Sequence, residues 1–134
     1  MKTKAILGTN EVNAILDAAR QEAEKNLWNV AIAVVDDGGH PLALLRLDDT
    51  APIAAYIAQE KARSAALGGR ESAQYEQMVN GGRTAFLSAP LICALEGGVP
   101  IVVDGQVIGA VGVSGVKADQ DAQIAKVGAL SITK

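Results

Sequence analysis

What most constrains this chain is a pair of glycine turns, each set between two apolar runs. Asn29 to Asp36 (NVAIAVVD) is short, rich in β-branched side chains and nearly all apolar, the pattern of a strand covered on both faces. Asp37-Gly38-Gly39-His40 follows, and Pro41 to Leu47 (PLALLRL) returns. Glycine accepts the positive φ that a tight hairpin demands, so these two strands are predicted to be adjacent and antiparallel. Asp104-Gly105, between Pro100–Val103 and Val107–Val113, repeats the signal. Two such hairpins argue against a doubly wound nucleotide-binding fold, whose parallel strands need long crossovers.

Helices fill the intervals. Val12, Ile15, Leu16, Ala19 and Ala23 recur at three- and four-residue steps, which predicts a helix starting near Thr9, with Thr9 or Asn10 as its cap. A second helix is expected from Ala51 to Leu67. Asp48, Asp49 and Thr50 offer capping chemistry before it, and Gly68-Gly69 ends it. Glu71 to Val79 reads as a shorter helix stopped by Gly81-Gly82, and Ser88 to Leu95 as a further strand. Ala118 to Ile132 closes the chain as a helix with Ile124, Val127 and Leu130 on one stripe. The order is α-ββ-α(α)-βββ-α. The expected fold class is α/β (α+β), a five-stranded antiparallel sheet flanked by helices, with residues 1–134 forming a single domain.

The 49% hydrophobic content supplies a core without disulfides, and small aliphatic side chains dominate it, with one Trp, one Phe and two Tyr. The net charge of −3 and the lack of any dense Lys/Arg run argue against a nucleic-acid partner and against an anionic membrane surface. Cys93 is the only cysteine, which excludes an intrachain disulfide and fits a reducing compartment. Its apolar surroundings suggest a buried, inert thiol. Met1 to Asn10 lacks the apolar core of a signal peptide, and no apolar stretch is long enough to span a bilayer, so a cytoplasmic location is expected.

Three collinear stretches carry a family likeness. They are Val34-Val35-Asp36-Asp37-Gly38-Gly39 with Arg46-Leu47-Asp48; Ile57-Ala58-Gln59-Glu60-Lys61-Ala62 with Ala65-Ala66 and Gly69-Arg70; and Gly97-Gly98-Val99-Pro100-Ile101 with Val107 to Gly115 and Gln120-Asp121. Together they resemble the signature of the GlcG/HbpS family of haem-binding-protein-like chains, which includes the PduO C-terminal domain. The resemblance implies a profilin-like fold and a homo-oligomer, octamers among them. It also implies haem as ligand or cofactor in some members, and corrinoid-related partners or a place in catabolic operons such as glycolate utilisation in others. Gly69 to Ser88 is shorter than the family's usual loop, and Ala94-Leu95-Glu96 replaces the usual Pro before the double glycine. No residue is matched to a family haem ligand.

Glu60 is the most informative candidate. Ile53, Tyr56, Ile57, Ser64 and Leu67 lie at helical offsets from it, which predicts a carboxylate inside an apolar stripe. Such a group needs a partner or a raised pKa. Glu60 and neighbouring Lys61 are therefore catalytic candidates lining a pocket or subunit interface, or else Glu60 pairs with Arg46 or another chain. Arg46 and Asp48 are one residue apart and share a strand face. Arg46 is a fork for a ligand carboxylate, such as a haem propionate or a small organic acid, or a cross-hairpin partner of Asp36. His40, the only histidine, is a candidate haem ligand or a solvated turn residue. One histidine without a cysteine cluster defines no metal site. Ser114-Gly115 leads toward a helix, where free amides bind anions; alternatively Gly109, Gly112 and Gly115 let another element pack closely. Neither Ser114 nor Cys93 has a histidine to activate it other than His40.

Three functions follow from these readings. The leading one is a homo-oligomeric small-ligand protein binding haem or a related tetrapyrrole. The rival is a catabolic enzyme acting on a small organic acid by proton transfer or isomerisation, with Glu60 as base and Arg46 as clamp. The third is an accessory or scaffold subunit.

Overall fold

The computed structural model describes residues 1–133. In chain order it contains α1 (Thr9–Lys25), β1 (Ala31–Asp36), β2 (Pro41–Arg46), α2 (Ile53–Gly68), α3 (Ser72–Asn80), a 3-10 turn (Thr84–Ser88), β3 (Gly98–Val103), β4 (Gln106–Ser114) and α4 (Ala118–Leu130). The strands form one antiparallel sheet in the order β2-β1-β4-β3. Both predicted hairpins are present, with positive φ at Gly39 (79°), Asp104 (52°) and Gly105 (74°), as tight turns require.

The fifth strand expected at Ser88–Leu95 is not there, and the sheet has four strands among the described residues. This segment satisfies its backbone by other means. The Cys93 N–H donates to Ser64 Oγ at 2.7 Å, and Ser72 Oγ donates to the Leu95 carbonyl at 2.6 Å. Helix hydroxyls replace a ladder, so extended apolar sequence here does not become a strand.

The two faces of the sheet carry different cores. Ile32 and Val34 of β1 join Ile15, Val111, Val113 and Ile124 in a branched aliphatic core under α1 and α4. Ala31, Ala33 and Val35 face the other way, onto Ala54, Ala58 and Ala62 of α2. The apolar stripe expected to bury α2 in fact points outward: Ile53, Tyr56 and Leu67 are exposed, Tyr56 by 73%. The buried face is Ala54, Ala58, Lys61, Ala62 and Ala65. The sheet's glycines explain the reversal. A Cβ on Gly112 would strike the Ala58 carbonyl and the Ala62 amide, and one on Gly98 would strike the Lys61 carbonyl. Helix backbone lies directly on sheet backbone, with Ala58 and Ala62 against Gly112 and Lys61 against Gly98.

A similar correction applies to α4. Ile124 is buried, but Val127 and Leu130 are exposed, and Ala125 and Gly128 face inward. A Cβ on Gly128 would come within 3.3 Å of Ala19 Cβ. Neither Thr9 nor Asn10 caps α1; the Gly8 N–H donates instead to Glu11 Oε1 at 2.9 Å. No helix among the described residues is long and apolar enough to cross a membrane.

Candidate functional site

The candidate residues fall into three groups. The first lies at the hairpin end of the sheet. Asp36 closes β1 just after the irregularity at Val34/Val35. Its Oδ1 accepts the N–H groups of Gly38 and His40, each at 2.9 Å, and His40 Nδ1 approaches its two carboxylate oxygens at 3.1 and 3.2 Å. Partial burial raises the Asp36 carboxyl, but these amides and the imidazole outweigh it and hold the group below the usual aspartate range. An ionised carboxylate only accepts, so Nδ1 is the ring nitrogen that donates to Asp36 and Nε2 is the one directed away from it. Carboxylates orient metal-ligating histidines in this way. Asp36 also lines a cleft of about 380 Å³ with Lys4, Ile6, Leu7, Asp37 and Ile108. Lys4 Nζ lies 3.1 Å from Asp37.

Arg46, Asp48, Ser114 and Gly115 lie at the opposite end. Arg46 and Ser114 both pair with Ala31, so they share the α2 face at two strand spacings, roughly 10 Å apart. Arg46 is exposed and forms no ion pair among the described residues; the expected links to Asp36 and Glu60 do not form. His40 and Arg46 are separated by the length of β2, about 20 Å. Asp48 lines a separate cleft of about 320 Å³ with Glu24, Trp28 and Asp49. Ser114 is buried. A Cβ on Gly115 would strike the Asn29 carbonyl, so close packing accounts for this glycine.

The third group sits on α2 and reverses the expected roles. Glu60 is not buried: its side chain is 45% exposed and pairs with Arg63 one turn away. Lys61 is the buried charge, 4% exposed. Its Nζ donates to Asp121 Oδ2 at 3.0 Å and to the Val113 carbonyl at 2.9 Å. It passes Gly97, where a Cβ would fall 2.8 Å from Nζ. Asp121 Oδ1 accepts the Val116 N–H at 3.2 Å. Burial pushes the Asp121 carboxyl above its ordinary range, with the Lys61 ammonium offsetting part of the rise. The pair thus clips α2 to α4 around the start of β3. Burial likewise raises the Cys93 thiol, more than nearby Lys61 lowers it, which leaves a poor nucleophile at neutral pH. The reading of Glu60 as a buried general base loses its premise.

Residues 7–129 match the family described as haem degrading protein HbpS-like. The chain belongs to the HbpS-like family. It is 68% identical over 114 residues to Protein GlcG of Escherichia coli K12, covering 85% of each chain. Among solved structures, a double mutant of HbpS from Streptomyces reticuli superposes with a TM-score of 0.90 at 27% identity, covering 100% of this chain and 92% of that one. The PduOC:heme complex superposes with a TM-score of 0.87 at 22% identity, covering 96% of each, and speaks for the fold alone.

Sequence reasoning missed the cleft wall of Lys4, Ile6, Leu7 and Ile108, since the first eight residues follow no period. It also missed Asp121 as the partner of Lys61. Sixty residues separate them, and the only signal was that both fall in the family-like stretches.

Proposed function

We propose that this chain is a homo-oligomeric protein that binds haem or a related tetrapyrrole at the hairpin-end cleft. The observation that carries the reading is the His40–Asp36 pair, whose Asp36 lines that cleft, in a member of the HbpS-like family. Haem, when bound, would supply an iron, and His40 is the residue that would hold it. The residues fit such a group. Asp36 orients the His40 ring through Nδ1 and leaves Nε2 facing away from it, Ile6, Leu7 and Ile108 give an apolar wall, and Lys4 offers a cation for a propionate. The cleft falls within the usual size range of small-molecule sites, about 300 Å³ upward.

Haemin titration followed at the Soret band tests this directly. A saturable shift at micromolar haemin is expected. A band that only grows as free haemin does would overturn the proposal.

A further inference from the structure

The two edges of the sheet are not equivalent. The Val113 N–H donates to the Gly97 carbonyl at 3.0 Å, and Gly98 pairs with Gly112. Hydrogen-bonded positions alternate along an antiparallel ladder, so Gly98 and Pro100 turn their main-chain groups outward from β3. Neither offers a free donor: Ser72 Oγ takes the Gly98 N–H at 2.8 Å, and proline has none.

Along β2 the Leu47 N–H donates to the Val30 carbonyl at 3.0 Å, and Ala31 pairs with Arg46. The same count turns Leu44 and Arg46 outward, each with an N–H and a C=O. Pro41 opens β2 and Arg46 is its one charge, but no proline falls between Leu42 and Arg46 to remove a donor.

We propose that β2 receives β2 of a second copy, antiparallel across a twofold axis, making one continuous eight-stranded sheet. This rests on the homo-oligomer of the proposed function and names its contact. Only one twofold register uses the outward groups of both residues in both copies: Leu45 on the axis, with Leu44 opposite Arg46 of the second copy. That register also keeps the strand's one charge away from its own image, since Arg46 meets leucine rather than arginine.

The test is the solution mass of Leu44→Lys, Leu44→Glu and the double variant Leu44→Lys/Arg46→Glu, by light scattering after size exclusion, with circular dichroism to confirm folding. Leu44→Lys sets like charges opposite each other and should yield a smaller species. Leu44→Glu faces Arg46 and should keep the wild-type mass, and the double variant should regain it. A monomeric wild type, a Leu44→Lys variant of wild-type mass, or equal dissociation by Lys and Glu would overturn the pairing. Haemin titration of the same samples separates the two readings: an unchanged Soret shift beside a failed pairing removes the edge contact alone.

Discussion

The two faces of the sheet bury similar elements by opposite means. Under α1 and α4, Ile15, Ile32, Val111 and Ile124 interlock as branched side chains. Such a core can shrink or shift slightly when one side chain is trimmed. Under α2, alanine meets glycine and backbone lies on backbone, so there is no side-chain volume left to adjust. Lys61, on the second face, also reaches past the sheet to Asp121 of α4 and forms the one buried ion pair among the described residues. The contrast teaches that small residues can mark the tightest contact in a protein rather than an unimportant one.

The sharpest way to break the comparison is Gly112→Val. Its Cβ would enter the Ala58 carbonyl and the Ala62 amide, neither of which can move without displacing α2. A loss above about 4 kcal/mol is expected in denaturant titration, a large share of a domain's typical stability.

Next is Lys61→Met, which leaves the Asp121 carboxylate buried without its counter-charge, at a cost of about 3–5 kcal/mol. Adding Asp121→Leu should restore much of the loss. The pH dependence carries a definite sign. Asp121 is raised in the folded state, so its contribution is fullest below the unfolded aspartate pKa and falls away as pH rises through the folded one. Lys61→Met should move that decline to higher pH and enlarge it, as read from unfolding midpoints across the acid-to-neutral range.

On the more forgiving face, Ile124→Val removes one methyl group from a side-chain core and should cost about 0.5–1.5 kcal/mol. The smallest effect belongs to the outward side of α2, where Tyr56→Ser should change the unfolding free energy by no more than about 0.5 kcal/mol.

These differences explain what the sequence made legible. The hairpins at Asp37-Gly38-Gly39 and Asp104-Gly105 were readable because the conformations their turns demand narrow the choice of residue. The α1 stripe was readable because Val12, Ile15, Ala19 and Ala23 do face the core. The inward face of α2 was not, because periodicity ranks Ile53, Tyr56 and Leu67 above alanine. What decides the matter is the depth of the surface opposite, at Gly98 and Gly112. Ser88–Leu95 misled for a related reason: the hydroxyls of Ser64 and Ser72 meet its backbone, and a local pattern contains no sign of them. Of the candidate site, His40, Arg46 and Ser114 were visible by type. Only the fold separates His40 from the other two and joins it to Asp36.

The central claim is that His40, held by Asp36, anchors a tetrapyrrole at the hairpin-end cleft. Soret titration of His40→Ala beside Arg46→Ala tests it most directly, since both side chains are exposed and neither substitution should disturb the fold. The expected result is loss of the saturable Soret shift in His40→Ala and its retention in Arg46→Ala. Haemin binding by His40→Ala with wild-type affinity and spectrum would contradict the assignment.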